Sequence, residues 1–242
     1  MVADATDSDA GIDMIDGSLT AHNLVAATAT NSLATITMIG KHTDTSGRGD
    51  VIIGQTGEAE MLLSSSRTHK RILAVARDNG DSFVEITDGL IQRDQGFLIG
   101  MDKDAFGAVD QSGGTTRIGG NLSLTGTSAN APALYLLGRG TLDLIGGNAL
   151  LNPGFADFRF FGGRLLDVSV LGVAMDNDGG TLAPGGSMET TTILGGIQSK
   201  LGALRSRRGR NVPRFRRCDR PRQRVAGRRT LSHRIVAFSN NP

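Results

Sequence analysis

Val109-Asp110-Gln111-Ser112-Gly113-Gly114-Thr115-Thr116-Arg117-Ile118-Gly119-Gly120-Asn121-Leu122-Ser123-Leu124 reads as three short alternating segments separated by two Gly-Gly bends. Degenerate copies of the phrase recur along the chain, which makes it one rung of a repeat. Aligned on the bend, the copies turn at Gly17, Gly40, Ser66, Gly89, Gly114, Gly140, Gly163 and Gly180, with spacings of 23, 26, 23, 25, 26, 23 and 17 residues. After the bends a polar-apolar-x-apolar segment supplies Leu24/Ala26, Val51/Ile53, Ile72/Ala74, Phe97/Ile99, Leu122/Leu124, Ala149/Leu151 and Val168/Val170. A second alternating pair precedes most bends: Ile12/Met14, Ile36/Met38, Val84/Ile86, Val109/Gln111, Tyr135/Leu137 and Phe158/Phe160.

Alternation with period two over such short runs is the signature of strands, and no part of the body sustains a period of 3.6. A unit of about 24 residues cannot bury its own apolar face, so it must stack on its neighbours. If each unit is one coil of a parallel β-helix, inward side chains stack in ranks and backbone amides pair with the next coil about 4.8 Å away. The predicted fold is therefore all-β, a single-stranded parallel β-helix (β-solenoid) of about seven to eight coils. The helix is expected over residues 11–198, after a disordered N-terminus (1–10) and before an Arg-rich, disordered tail (199–242). Gly17, Gly40, Gly89, Gly114, Gly140, Gly163 and Gly180 are the expected structural bends, because tight corners need a positive φ. The third copy is irregular: Ser64-Ser65-Ser66-Arg67-Thr68-His69-Lys70-Arg71 puts polar residues where others have a glycine bend and strand. It reads either as a bulging loop or as a locally corrupted coil.

Composition agrees with stacked aliphatic ranks. Aromatics make up only 4 % and tryptophan is absent, so the interior cannot rely on large rings for buried area. The lone Cys218 excludes an intrachain disulfide framework. The net charge of +2 averages two unlike pieces. Residues 200–242 hold 14 Lys+Arg and one acid; taken from totals of 26 and 24, this leaves 12 basic and 23 acidic groups in residues 1–199, a net of −11. No apolar run reaches the length of a membrane-spanning helix. Residues 1–16 show no signal-peptide pattern; beside the repeats, this suggests a chain whose natural start lies further upstream.

The chemistry-bearing motifs are sparse. The four histidines have no metal spacing. Asp102-Lys103-Asp104-Ala105-Phe106-Gly107 begins like a calcium loop, but Phe106 holds a ligand position and no Glu follows at the twelfth. Asp176-Asn177-Asp178-Gly179 and Asp78-Asn79-Gly80-Asp81 read as turns. Asp102, Asp104, Asp176 and Asp178 are the calcium candidates, as acidic bends stacked along one edge; no other cofactor and no other metal is expected. Arg48-Gly49-Asp50 spells an integrin-binding tripeptide but reads better as the start of the Val51/Ile53 strand. Asp110, Arg117 and Asp143 are the only residues of a lyase or hydrolase type on adjacent well-formed coils. No catalytic residue is assigned.

Gly179-Gly180-Thr181-Leu182-Ala183-Pro184-Gly185, followed by the Thr-rich strand Thr190-Thr191-Thr192-Ile193-Leu194, resembles the autotransporter-associated β-strand repeat. Gln111-Ser112-Gly113-Gly114 with Gly120-Asn121-Leu122-Ser123-Leu124 resembles the same family's coil, and the resemblance spans about residues 11–196. It implies a parallel β-helix of a bacterial surface or secreted protein, located outside the cell, with a motif that marks the scaffold and brings no catalytic residues. The chain departs from that family in showing no signal peptide, outer-membrane barrel or sorting tail.

The tail has three readings. Its arginines, from Arg205-Ser206-Arg207-Arg208 to Arg234, suit a nucleic-acid-binding arm or a solvated disordered segment. The resemblance implies a third: such repeats continue with a Glu-Ile-Glu strand, and GAG-ATC-GAG read one base out encodes Arg-Ser-Arg. The residues after about Leu204 are therefore expected to be out of frame. The expected function is a structural or adhesive repeat segment, with surface glycans or neighbouring repeats as partners and no catalysis. The alternatives are a polysaccharide-binding or polysaccharide-cleaving β-helix, and nucleic-acid binding through the tail.

Overall fold

The computed structural model describes residues 1–42, 49–64, 66–102, 104–151, 155–172, 175–183, 190–194, 197–199 and 203–204. Among them there are 22 strands and no helix. The first coil gives β1 (Asp9–Gly17) and β2 (Leu24–Ala26), and the second β3 (Leu33–His42) and β4 (Asp50–Ile53). In the third, β5 (Glu58–Ser64) and β6 (Ser66–Val75), and the fourth, β7 (Asp81–Ile86) and β8 (Gly89–Ile99), one long strand runs across a corner. The fifth coil gives β9 (Phe106–Gln111), β10 (Thr115–Ile118) and β11 (Asn121–Leu124). The sixth gives β12 (Ala133–Leu137), β13 (Thr141–Asp143) and β14 (Asn148–Leu151), and the seventh β15 (Ala156–Phe160), β16 (Arg164–Leu166) and β17 (Val170–Leu171). The eighth gives β18 (Met175–Asn177), β19 (Thr181–Ala183) and β20 (Thr192–Ile193); β21 (Ile197–Ser199) and β22 (Ala203–Leu204) begin another.

These strands stack in parallel into three faces. Face one is the ladder β1-β3-β5-β7-β9-β12-β15-β18-β21. Face two holds the first parts of β6 and β8, then β10, β13, β16, β19 and β22. Face three holds β2, β4, the last parts of β6 and β8, then β11, β14, β17 and β20. The third to eighth coils, six of them, carry all three faces. The molecule is thus the expected β-solenoid, with partial coils at either end of these six.

The interior is built from ranks. On face one, Ile36, Met61, Val84, Val109, Tyr135 and Phe158 stack in register, and beside them Met38, Leu63, Ile86, Gln111, Leu137 and Phe160. All are buried. Ile12 and Met14 of β1 hold the same ranks, with a rung on one side only, and are half-buried. Face three stacks Leu24, Val51, Leu73, Phe97, Leu122, Ala149, Leu171 and Ile193. Face two adds Ile91, Thr116, Leu142, Leu165 and Leu182. Where the ranks meet, Phe97, Tyr135, Phe158 and Phe160 form a chain of rings with centroids 6.0, 5.6 and 6.3 Å apart. Each such buried side chain contributes about 1.5–3 kcal/mol of transfer free energy, so the aliphatic ranks replace the aromatic core that the composition lacks.

Three sequence expectations are corrected. Leu73 and Val75, not Ile72 and Ala74, fill the inward ranks of β6, because the register with β8 shifts between Lys70 and Ile72. A slip of one residue turns every following side chain to the other face. From Ser66 onward the irregular third copy is accordingly a strand, not a bulging loop. In the seventh coil Leu171 takes the rank position expected of Val168, opposite Ala149 and Ile193, while Val170 pairs with Asn148 and Thr192. Residues 1–10 are not a loose leader: Val2 bridges Ala26, its amide donates to the Val25 carbonyl at 2.9 Å, and Val2 and Ala3 are buried against the end of face three. The Arg-rich tail expected over 199–242 lies outside the described residues except Ser199, Ala203 and Leu204.

Candidate functional site

The corner between faces one and two is where the Gly-Gly phrase falls, and it has two requirements. Gly40, Gly89, Gly114, Gly140 and Gly163 all have positive φ. The corner is also crowded from the next coil: a Cβ on Gly140 would lie 2.4 Å from the Gly114 carbonyl oxygen, and one on Gly163 2.8 Å from that of Gly140. Glycine therefore recurs because corners stack on corners, beyond the demand of any single turn. At the ends of the series the left-handed residue shifts one place earlier, to Asp16 beside Gly17 and to Gly179 beside Gly180. Gly180 is needed for space, since its Cβ would lie 2.2 Å from the Phe160 ring. Of the motif at residues 179–185, Thr181, Leu182 and Ala183 form β19 with Leu182 in the face-two rank; Pro184 and Gly185 lie outside the described residues.

One face-one rank carries two buried amides, Gln111 and Asn177, that close this corner from inside. Gln111 Nε2 donates to the carbonyls of Gly113 (3.1 Å) and Thr141 (3.0 Å), and Gln111 Oε1 accepts from the Tyr135 hydroxyl at 2.6 Å. Three coils on, Asn177 Oδ1 accepts from the Gly180 amide at 2.8 Å while its Nδ2 donates to the Gly180 carbonyl at 3.2 Å. Burial pushes the Tyr135 phenol well above its ordinary range, and the nearby Thr116 hydroxyl pulls it partly back. The bond of good geometry is the one to Gln111, for Thr116 Oγ1 makes no hydrogen bond. The role of these groups is structural, since they satisfy corner carbonyls that a rank of leucines would leave unpaired.

The residues singled out for chemistry are dispersed. Asp102 and Asp104 sit at the corner between faces three and one, both exposed, with the Asp104 amide donating to Thr127 Oγ1 at 3.2 Å. Asp78 shares that corner one coil earlier and accepts from Gln55 Nε2 at 3.4 Å. Asp176 is on the outer side of β18, in register with Arg159, and the Asp178 amide donates to the Phe160 carbonyl at 2.7 Å. The calcium candidates Asp176 and Asp178 thus lie on a different corner from Asp102 and Asp104. No group of three or more metal-ligating side chains converges among the described residues. Arg117 and Asp143 are register neighbours on the outside of face two, with Arg117 Nε 3.3 Å from Asp143 Oδ2. Asp110 is outside face one, so the three form no common site. Asp50 opens β4, and Arg71 holds its carboxylate through two bonds of 2.9 and 2.7 Å.

One surface feature escaped the sequence reading. On the outside of face one, Glu60, Phe83, Ala108, Leu134 and Asp157 follow one another in register. The next outward row is Leu62, Glu85, Asp110, Leu136 and Arg159. An apolar strip of Phe83, Phe106, Ala108, Leu134 and Leu136 is thus bordered by Glu60, Glu85 and Asp110. Ala108 is only 5 % exposed although it points outward, so its neighbours close over it, whereas Phe83 is 37 % exposed. Glu85 and Asp110 are like charges directly in register, a destabilising arrangement. Asp157 is neutralised by Arg159 at 2.6 Å, but among the described residues Glu60, Glu85 and Asp110 have no ion-pair partner. The signal for the strip was present as outward apolar residues in β7 and β12, but only the register joins them.

Comparisons with protein-family models, with curated proteins and with solved structures return no match.

Proposed function

We propose that the chain is a structural or adhesive repeat segment of a bacterial cell-surface or secreted protein. The observation that supports this reading is the continuous parallel ladder of face one, nine strands in a single order. At about 4.8 Å per strand it makes a rod close to 40 Å long, in which each coil touches only its neighbours and the side chains of the ranks hold the coils together. Such a body is suited to holding surfaces apart and offering an extended face. The bacterial surface setting comes from the resemblance of residues 179–185 and of the 109–124 phrase to the autotransporter-associated repeat.

Protease shaving of intact source cells tests the setting. Peptides from the coils are expected in the shaved fraction; peptides released only after lysis would contradict a surface location. Incubating the full chain with a panel of polysaccharides tests the rest. Reproducible release of reducing ends or unsaturated sugars would replace the structural reading with the polysaccharide-cleaving one.

A further inference from the structure

We propose that the acid-bordered apolar strip on face one is the docking site of the chain's own Arg-rich segment, residues 205–234, bound in cis. The strip has the composition of a recognition surface: an exposed Phe83 and the half-buried Phe106, Leu134 and Leu136, beside three carboxylates without ion-pair partners among the described residues. Keeping Glu85 and Asp110 in register beside one another costs stability unless a cation compensates. The polypeptide supplies that cation in quantity, since residues 205–234 contain 13 arginines and a single acid, Asp219, while residues 1–199 carry a net charge of −11. The segment is not purely charged. Arg214-Phe215-Arg216-Arg217 sets a ring among guanidinium groups, and guanidinium pairs well with both carboxylates and aromatic faces.

Geometry permits the contact. The last described strand, β22, ends at Leu204, on a rung with β21. Along face one, the ladder runs β21, β18, β15, β12, β9, β7. The strip centres on β7, β9 and β12 and so lies about 15–25 Å from β21 at the usual strand spacing. A fully extended segment of about thirty residues reaches about 100 Å. Tethering gives the segment an effective concentration near the millimolar range, so a weak electrostatic contact suffices to fill the site ahead of a free cationic partner. Docking depends on the polypeptide as it stands and not on how the codons of the tail arose. It goes beyond the structural role proposed above and can fail without it.

Trypsin reports on the contact, because seated arginines are shielded. The full chain is digested in low salt and in about 0.5 M salt, where charge attraction is screened, and cleavage after the arginines of residues 205–234 is normalised to the free 205–242 peptide under each condition. At low salt the tail is expected to be cut at least about five-fold more slowly than the free peptide, and high salt should remove the difference. The triple variant Glu60→Gln/Glu85→Gln/Asp110→Asn should lose the protection at low salt. Asp4→Asn/Asp9→Asn/Asp102→Asn, with the same change in charge away from the strip, should retain it. Equal rates for the full chain and the free peptide at low salt would overturn the proposal. So would equal loss in both triple variants, which would mean attraction to the acidic body as a whole. Protection that grows with protein concentration would overturn docking in cis.

Discussion

Tyr135 is the only tyrosine of the chain, fully buried between Phe97 and Phe158 and bonded to Gln111. Because burial raises its proton affinity in the folded state, the sign of the pH effect follows. Below about pH 10, the ordinary phenol range, the hydroxyl is neutral in both states and its contribution to stability is complete. Above it the unfolded chain releases the proton while the folded chain keeps it, so stability falls as pH rises towards the folded value. The ultraviolet absorbance of phenolate should therefore appear only together with loss of the far-ultraviolet β signal; a native protein titrating in the ordinary tyrosine range would contradict the burial. Tyr135→Phe should remove that alkaline component and, by leaving Gln111 Oε1 without its donor, cost about 1–3 kcal/mol at neutral pH, read from denaturant unfolding. The corner glycines give a matched pair. Gly140→Ala combines a positive φ with a carbonyl 2.4 Å from the new methyl and should cost about 3 kcal/mol, lowering Tm by roughly 6–12 °C. Gly138→Ala, whose methyl would meet the Gln111 carbonyl at 3.7 Å, should shift Tm far less.

At the scale of the strand, much was legible and the failures have one cause. Alternation located the face-one ranks and most of face three, since period-two patterns identify inward positions wherever the bend is regular. In β6 the pattern pointed to Ile72 and Ala74, and the bulge before Ile72 reversed it. Arg71 alone stands opposite Asp94 and Gln95 of β8. A residue missing from a polar run such as residues 67–71 leaves no mark, because only the neighbouring strand shows where the count falls short. Face two was read only as the middle segment of the 109–124 phrase and was not traced through the other copies, for a related reason. In the third and fourth coils it is continuous with face three through long strands, and no Gly-Gly pair separates them. The outer strip was invisible because its members come from β7, β9 and β12, and their adjacency is a property of register. The reversal makes a prediction: Leu73→Asn, in the buried rank, should cost several kcal/mol, whereas Ile72→Asn, pointing outward, should stay within about 1 kcal/mol. Chemical denaturation of the two variants distinguishes them, and the opposite order would restore the unshifted register.

The molecule as a whole is a set of coils stacked in parallel and in register, each corner above the last. The 109–124 phrase spans most of one turn of that stack, with β9 ending before its first glycine pair and β10 and β11 flanking its second. Everything else follows from the stacking: the crowding that demands glycine, the aliphatic ranks and the strip that only neighbouring coils can assemble. Cysteine pairing across a rung is its most direct test, on a Cys218→Ser background so that no other thiol remains. Thr115 and Thr141 are register partners on the outside of face two, at a strand separation within the range a disulfide can bridge. Thr115→Cys/Thr141→Cys should form an intrachain disulfide on mild oxidation, while Thr115→Cys/Leu142→Cys, which points one side chain inward, should remain reduced. Equal oxidation of the two pairs, or oxidation of the shifted pair alone, would contradict the stacked, in-register solenoid.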